Sequence, residues 1–249
     1  MAIVTTRVAE RPRDYVAVRG SDAANFLQRM VSNDVEAAPC SALLLTPKAK
    51  VIAPLVVVRR ADDDFLLLTE SGLGDAVRST LVRARFAAKV EIEPEEHRSL
   101  VVFGDAPGIS TREYGDPATE VLDADLEPTL GADELERLRI EAGTPRFGAE
   151  IDERTLPAEA GLDETHVSFT KGCYPGQEPI VRLQHRGHVN RRLRVLEVAS
   201  ARPGDEIRLG GKVVGRVTSA VPGVALGYVR VEVSQDAALE IGRETARLH

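Results

Sequence analysis

The first part of the chain alternates between two spacings of apolar side chains. Tyr15–Arg19 follows the two-residue period of a strand. Val51–Arg59 and Phe65–Glu70 are apolar, partly β-branched runs, and the polar segment Ala61–Asp64 between them indicates a hairpin loop. These three runs therefore predict strands with buried faces.

Two helices are predicted among these strands. Ser21 is a suitable N-cap for the first helix, which ends near Asn33. The apolar positions with helical spacing are Ala24, Leu27, Met30 and Val31 in the first helix and Leu73, Val77, Leu81, Ala84 and Ala88 in the second. Lys89–Glu93 and Leu100–Phe103 follow as strands. The order resembles a split βαβ unit with helices on one face of an antiparallel sheet.

The rest of the chain divides into a loop-rich middle and a β-rich end. Gly104–Pro128 is rich in Gly, Pro, Asp and Thr and indicates a loop or a short irregular subdomain. Ala132–Ala142 indicates a third helix, and Thr144–Gly176 a long loop. After Asn190 come short β segments, two of them separated by the hairpin turn Gly210-Gly211. We therefore predict an α+β fold, with an α+β region at 1–189 and a small β-barrel at 190–249.

Composition excludes several classes of function. The chain has 249 residues, 43% of them apolar, and a net charge of −7, which gives no electrostatic case for binding nucleic acid or an anionic membrane. No apolar run approaches the ~18 residues of a membrane helix. Met1–Asp14 lacks the apolar segment of a secretory signal. Two cysteines do not make a disulfide framework, so we expect a reducing cytoplasm.

The segment Lys171–Glu178, with the sequence KGCYPGQE, carries the strongest chemical signal. Pro175 and Gly176 suit the second and third positions of a type II turn. A cysteine beside this turn is expected to be accessible, and Lys171 is expected to favour the thiolate of Cys173. The competing interpretation is a buried core cysteine, because free cysteines are often buried.

Other chemistries of this thiol remain open. A histidine could act as a base for Cys173 as a nucleophile, although no oxyanion site or orienting group is evident. A metal site formed with His185 and His188 is weak, since a second cysteine is missing. A single thiolate could also hold an iron–sulfur cluster transiently with a ligand from another protein.

Three further features have both structural and functional interpretations. The window Pro179–Leu196 has no acid but contains several arginines, which indicates either a solvated strand face or a rim that binds anions. Without interleaved aromatic residues it does not favour nucleic acid. Cys40 is expected in a loop or a small core. Ser32-Asn33-Asp34 is typical of a helix end, and it could also present polar groups to a cleft.

The segment Lys171–Glu178 also matches K-G-C-[FY]-x-G-Q-E, the signature of the YgfZ type of folate-binding protein. Weaker similarity to the related T-protein aminomethyltransferases lies at Gly20–Asp22, Phe26–Gln28, Arg139–Pro145 and Val214–Ser219. T-proteins carry an acidic pair in an early segment, where a carboxylate assists one-carbon transfer. Ala53 and Pro54 replace that pair here, and neither can act as an acid or base.

The resemblance implies a folate-binding factor that assists assembly or repair of iron–sulfur proteins. It implies tetrahydrofolate or a related folate as ligand, a transient iron–sulfur cluster as a further possibility, and iron–sulfur client or assembly proteins as partners. Cys173 is then the acting residue and Lys171 its tuning partner. The remaining expected site residues are Gly172, Tyr174, Gly176, Gln177 and Glu178 in the motif, and Asn33, Asp34, Arg139 and Arg182 for folate. No metal ligands are expected. The alternatives are a tetrahydrofolate-dependent aminomethyltransferase and a binding module with an incidental thiol.

Overall fold

The computed structural model describes residues 7–104 and 106–249. In chain order, its helices and strands are β1 Arg7–Glu10, β2 Arg13–Arg19, α1 Ala23–Met30, β3 Cys40–Leu45, β4 Val51–Ala61, β5 Asp64–Glu70, α2 Gly74–Ala84, β6 Glu91–Glu95, β7 Ser99–Phe103, β8 Ile109–Thr111, β9 Ala118–Leu122, α3 Ala132–Glu141, α4 Gln177–Arg186, β10 Arg191–Val198, β11 Glu206–Leu209, β12 Lys212–Val221, β13 Gly223–Arg230, β14 Leu239–Ile241 and β15 Glu244–Leu248. Short 3₁₀ helices lie at Val35–Ala37 and Pro157–Glu159.

These elements form two compact units, each assembled from separate stretches of chain. We call residues 12–97 and 151–188 the motif unit. Residues 7–11, 98–150 and 189–249 form the barrel unit. Within residues 7–104 and 106–249, no helix is both long and apolar enough to cross a bilayer.

The motif unit contains a five-stranded sheet in the order β3-β4-β5-β2-β6, with all neighbours antiparallel. Strands β5 and β6 flank β2 and are joined through α2, which is a split βαβ arrangement as the sequence predicts. Leu27 of α1 and Val77 and Leu81 of α2 pack with sheet residues such as Leu55 and Leu67 in one core cluster. The helical spacing of these positions therefore marks the buried faces correctly.

Two elements of the motif unit differ from the expectation. Cys40 begins strand β3, where a loop or small core was expected, because the apolar run Ala42–Leu45 is buried in the sheet beside β4. Residues 177–186 form helix α4, where a strand face was one interpretation. Pro179 is the third residue of α4, and proline is tolerated in the first turn of a helix, where N–H groups have no intrahelical partner.

The barrel unit begins with a four-stranded sheet in the order β1-β7-β9-β8. Strands β8 and β9 lie within Gly104–Pro128, for which the sequence predicts a loop or a short irregular subdomain without regular strands. The sequence signal of these strands is weak because both are short and β9 contains a charged residue, Glu120. Glu120 is buried, and its carboxylate accepts a 2.5 Å hydrogen bond from the hydroxyl of Ser99. Helix α3 packs on this sheet through Leu135.

A closed six-stranded barrel completes the barrel unit, in the order β10-β13-β12-β11-β14-β15. Gly210 and Gly211 connect β11 to β12 with φ of +55° and +79°, so the predicted two-residue hairpin is confirmed. Ile140 of α3 packs against Val224 and Leu226 of β13. The α+β class and the C-terminal barrel are therefore as the sequence predicts.

Candidate functional site

The motif turn has the geometry that its sequence predicts. Gly176 has φ +85° and ψ 1°, the values of the third residue of a type II turn. The backbone N–H of Gln177 donates to the carbonyl of Tyr174 at 3.3 Å and closes the turn. Helix α4 starts directly afterwards, so the segment that carries Cys173 leads into a regular element.

Gly176 is also required by a close backbone approach. A Cβ atom at this position would lie 2.6 Å from the carbonyl oxygen of Thr46 and 3.0 Å from the Cα of Ala49. Thr46 and Ala49 belong to the connection between β3 and β4. The motif turn therefore packs directly against the backbone of the connection between β3 and β4. Any larger residue at 176 must displace the turn.

The two thiols lie in different environments. Cys173 is exposed, as the turn predicts, whereas Cys40 is half-buried and its thiol donates to the carbonyl of Asp34 at 3.4 Å. Burial raises the pKa of Cys40 to about 11, with the charge of Asp34 adding to the rise and that of Lys171 opposing it. Since the thiolate is the reactive form, Cys40 is almost entirely unreactive thiol at neutral pH.

The side chain of Lys171 links the motif segment by hydrogen bonds to the residues that follow helix α1. Its ammonium donates to the carbonyls of Val31 at 2.8 Å and Asn33 at 2.6 Å. Burial lowers the pKa of Lys171 to about 8, although the charges of Asp34 and Cys40 act in the opposite direction. Its observed bonds give Lys171 an anchoring role, and its tuning of the Cys173 thiolate stays a prediction.

The segment Ser32-Asn33-Asp34 holds the same region together. The Asn33 amide donates to the carbonyls of Ser41 at 2.7 Å and Thr165 at 3.4 Å, and its oxygen accepts from the backbone N–H of Asp34. The carboxylate of Asp34 accepts from Gln28 at 2.9 Å through Oδ1. The structure thus brings Asn33 and Asp34 beside Lys171, as a shared site requires.

Ser32 is a positioning residue that sequence reasoning did not single out. Its fully buried hydroxyl donates to the carbonyl of His166 at 2.6 Å and accepts from the backbone N–H of Leu43 at 2.7 Å. Its backbone carbonyl accepts from the N–H of Ser168. A serine at a helix end gives no sequence signal for contacts with a loop more than 130 residues away.

Tyr174 contributes a buried polar atom to the motif. The residue is 7% exposed, and its ring centroid lies 5.6 Å from the Lys171 ammonium nitrogen. Burial raises the pKa of its hydroxyl to about 12. Within the described parts of the chain this hydroxyl has no hydrogen-bond partner. A buried polar group without a partner is uncommon and is consistent with a bound polar ligand.

Gly172 and Glu178 of the motif are exposed, whereas Gln177 is half-buried at the start of α4. Glu178 and Arg182 form an exposed i,i+4 ion pair of 3.1 Å on α4. A Cβ atom at Gly172 would meet nothing within 4 Å, so this glycine leaves open space beside Cys173. His185 and His188 are exposed. Across residues 7–104 and 106–249, no three His, Cys, Asp or Glu side chains are grouped to hold a metal ion.

Arg139 lies in the barrel unit, where its guanidinium is buried. Its five N–H groups donate to Glu136 twice, to the Glu150 carboxylate at 3.0 Å, to the hydroxyl of Ser219 at 3.0 Å, and to the carbonyl of Thr144 at 2.5 Å. Because no N–H group is left to bind folate, the proposed folate site does not include Arg139.

The arginine-rich window is divided between the two units. Arg182 lies on α4 of the motif unit, whereas Arg191 and Arg192 are exposed on β10 of the barrel unit. The Arg191 guanidinium lies 4.5 Å from the ring centroid of Tyr228, which is a cation–π contact. The window is therefore not one continuous strand face.

Comparison with known proteins places the fold. The family model described as the CAF17 C-terminal beta-barrel domain matches residues 190–249. The crystal structure of the glycine cleavage system aminomethyltransferase T from Bartonella henselae aligns with a TM-score of 0.83 and 20% identity, covering 98% of this chain and 84% of that one. At this identity the likeness shows the fold alone.

Two sequence relatives extend the comparison. An uncharacterised protein from Haemophilus influenzae is 27% identical over 241 residues, which cover 89% of this chain and 86% of the relative. An iron-sulfur cluster assembly factor IBA57 homologue from Pyricularia oryzae is 24% identical over 216 residues, which cover 74% of this chain and 55% of the relative. The resemblance to the YgfZ type is confirmed. The chain has the fold of that aminomethyltransferase, and Ala53 and Pro54 lie in strand β4.

Proposed function

We propose that this protein binds a tetrahydrofolate and assists assembly or repair of iron–sulfur proteins, with Cys173 as the acting residue. The observation that carries the proposal is the exposed thiol of Cys173 beside an ordered type II turn. The other thiol, Cys40, is half-buried and held as the thiol by its raised pKa. Only one of the two cysteines is thus placed to meet a partner.

The iron–sulfur part of the proposal rests on the relatives and on thiol chemistry. The similar IBA57 homologue is named an iron-sulfur cluster assembly factor. Thiolates are the usual protein ligands of such clusters, and one exposed thiolate can bind a cluster whose other ligands come from a partner. The open space at Gly172 supports this, because the backbone beside Cys173 admits a bulky group. Such a cluster would be cargo passed to a client protein, and the chain would not retain it as a cofactor.

The folate part rests on the aminomethyltransferase-like fold and on two polar groups near the motif. The buried hydroxyl of Tyr174 can bond a polar edge of a pterin ring. Asp34 is partly exposed, and the hydrogen bonds from Gln28 and the N–H of Glu36 both use Oδ1, so Oδ2 can accept from a ring amine. Bound tetrahydrofolate would supply a reduced pterin able to carry one-carbon units.

The proposal does not include efficient aminomethyl transfer. Ala53 is fully buried in the core of the motif unit, and Pro54 follows it in strand β4. Neither side chain can exchange a proton or stabilise a developing cation.

The free state of both cysteines agrees with the reducing cytoplasm as the proposed compartment.

The serine variant of Cys173 tests the thiol directly. We expect Cys173→Ser to lose most or all of its ability to restore iron–sulfur enzyme activity in a strain lacking the gene, because an alcohol is a poor cluster ligand. Stability should change by only about 0.5 kcal/mol, since the residue is exposed. Cys40→Ser is the matched control and should complement. Full rescue by a folded Cys173→Ser variant would show that the thiol has no essential chemistry.

Calorimetric titration tests the folate site separately. We expect tetrahydrofolate to bind the purified protein, and Tyr174→Phe, which removes only the buried hydroxyl, to weaken binding about fivefold to tenfold. Val213→Ser is the control and should leave folate binding unchanged, because Val213 is 41% exposed in the barrel unit and belongs to no expected site. An assay with an aminomethyl donor should show no efficient transfer. Absence of binding would remove the folate part, and robust transfer would support the aminomethyltransferase alternative.

A further inference from the structure

Phe86 combines two unfavourable features at the end of helix α2. Its side chain is 93% exposed, far more than that of Val82, the next most exposed large apolar residue of the same segment at 37%. Its φ is +42°, in the left-handed region that bulky residues rarely adopt. The turn is closed by the N–H of Ala88, which donates to the carbonyl of Arg85 at 2.9 Å. Folding alone gives no reason for a phenylalanine at this turn.

The sequence around Phe86 is basic, although the protein as a whole is acidic. Between Asp75 and Glu91 there is no acid, and the cations are Arg78, Arg83, Arg85 and Lys89. The net charge of the whole chain is −7, so this concentration is local. The side chains of Arg83, Arg85 and Lys89 are exposed. The aromatic ring is thus presented among positive charges.

An open groove of about 630 Å³ lies beside this turn within the motif unit. Arg85 and Lys89, on either side of Phe86 in sequence, both line it, as does Arg19, which is ion-paired to Asp64 and Glu95. The groove also carries two acids, and its full lining is Arg19, Gly20, Ser21, Asp63, Arg85, Ala88, Lys89, Val90 and Glu91. Two exposed cations of the Phe86 turn, Arg85 and Lys89, therefore line the same groove.

We propose that Phe86 and this groove form a docking surface for a protein partner that carries an acidic segment beside an apolar socket. The socket removes the ring from water, and the acidic segment lies against Arg85 and Lys89. Buried aromatic anchors contribute much of the binding free energy at protein interfaces, while charges at the rim set partner choice and association rate. The surface involves neither Cys173 nor a folate, so it stands apart from the proposed function.

Photo-crosslinking followed by titration tests the surface. Benzoylphenylalanine at position 86 should capture one acidic protein in cells, and a probe at Val213, which is 41% exposed on the barrel, should not capture it. The captured protein is then purified and titrated. Phe86→Gly should raise Kd about tenfold or more. The double variant Arg85→Glu, Lys89→Glu should also raise Kd, and the wild-type Kd should rise with salt. The control Val213→Ser should leave Kd within about twofold.

Thermal unfolding shows whether the Phe86→Gly variant is as stable as the wild type. Phe86→Gly should not lower the midpoint of thermal unfolding, because glycine adopts φ +42° without strain and no buried contact is removed. Three results of the crosslinking and titration would overturn the proposal. They are capture of no protein beyond the Val213 control, a captured protein that binds Phe86→Gly as tightly as wild type, and capture of a second copy of this chain. Binding to anionic phosphatidylglycerol vesicles that is lost in Phe86→Gly would also overturn it, in favour of a membrane surface.

Discussion

Arg139→Met is expected to lower the free energy of unfolding by about 3–5 kcal/mol. The substitution keeps an apolar side chain of similar length but removes the guanidinium that pairs with Glu150 at 3.0 Å. The Glu150 side chain is 0% exposed, so its carboxylate would stay buried after losing this ionic partner, although it accepts hydrogen bonds from the Ser219 hydroxyl and the backbone N–H of Arg146. A buried charge without its ionic partner is strongly destabilising. Urea denaturation followed by circular dichroism measures the loss.

Two further variants show whether the unpaired charge is the cause. Arg137→Met on the same helix removes an exposed ion pair with Glu141 and a 2.7 Å hydrogen bond to the carbonyl of Pro222, and the expected loss is about 1–2 kcal/mol. Adding Glu150→Gln to Arg139→Met should recover part of the stability, because a neutral amide costs less to bury than a carboxylate. If Arg139→Met unfolds at the same urea concentration as Arg137→Met, the network does not stabilise the barrel unit.

The same network makes stability depend on pH. Burial would raise the pKa of Glu136, but its hydrogen bond to Arg139 and the charges of Arg139, Arg146 and Arg11 outweigh burial and lower it. A carboxyl whose pKa is lower in the folded state contributes stability at neutral pH. This contribution is lost as pH falls below the ordinary range of glutamate and through the lowered pKa.

Gly176→Ala is expected to destabilise the motif unit and displace the segment that carries Cys173. Holding alanine at φ +85° costs roughly 1–2 kcal/mol. Its Cβ would lie 2.6 Å from the carbonyl oxygen of Thr46, and relieving that backbone overlap costs a further 1–3 kcal/mol or so. Urea denaturation should show the loss, and the maleimide reaction rate of Cys173, measured with Cys40→Ser, should change.

Gly172→Ala is the matched control for this prediction. It makes the same chemical change in the same motif, but its Cβ meets nothing within 4 Å. Its stability should stay within about 0.5 kcal/mol of the wild type. Equal stabilities and equal labelling rates for the two alanine variants would contradict the view that the turn is seated on the sheet.

The sequence predicts those parts of the site whose backbone conformation is set by residues adjacent in the chain. Pro175 and Gly176 define their turn through backbone preferences alone, and Gly210-Gly211 does the same for a hairpin. The partners of Lys171 are different, because Val31 and Asn33 lie 140 and 138 residues away in the chain. No local pattern indicates that this ammonium bonds two carbonyls at the end of a helix.

The missed strands have a related explanation. Strand β3 is short and follows Pro39, so its apolar residues are hard to distinguish from a loop that touches the core. Strands β8 and β9 have three and five residues, and their place is set by pairing with each other and with β7. Such elements are stabilised by pairing with neighbouring strands, and intrinsic strand preference describes them poorly.

The division of each unit among separate stretches has a consequence for synthesis on the ribosome. The motif unit needs residues 12–97 and 151–188, so every part of it has been made once residue 188 is translated. The barrel closes only after β15 near residue 248 has been made, and Ile140 lacks Val224 and Leu226 until β13 is translated. Because chains begin to fold while they are still being translated, the segment carrying Cys173 can pack against the connection between β3 and β4 before the barrel has formed. A chain that ends at residue 188 and has been released from the ribosome should therefore already bury Leu27 and Leu67, while Ile140 still lacks its contacts with the barrel.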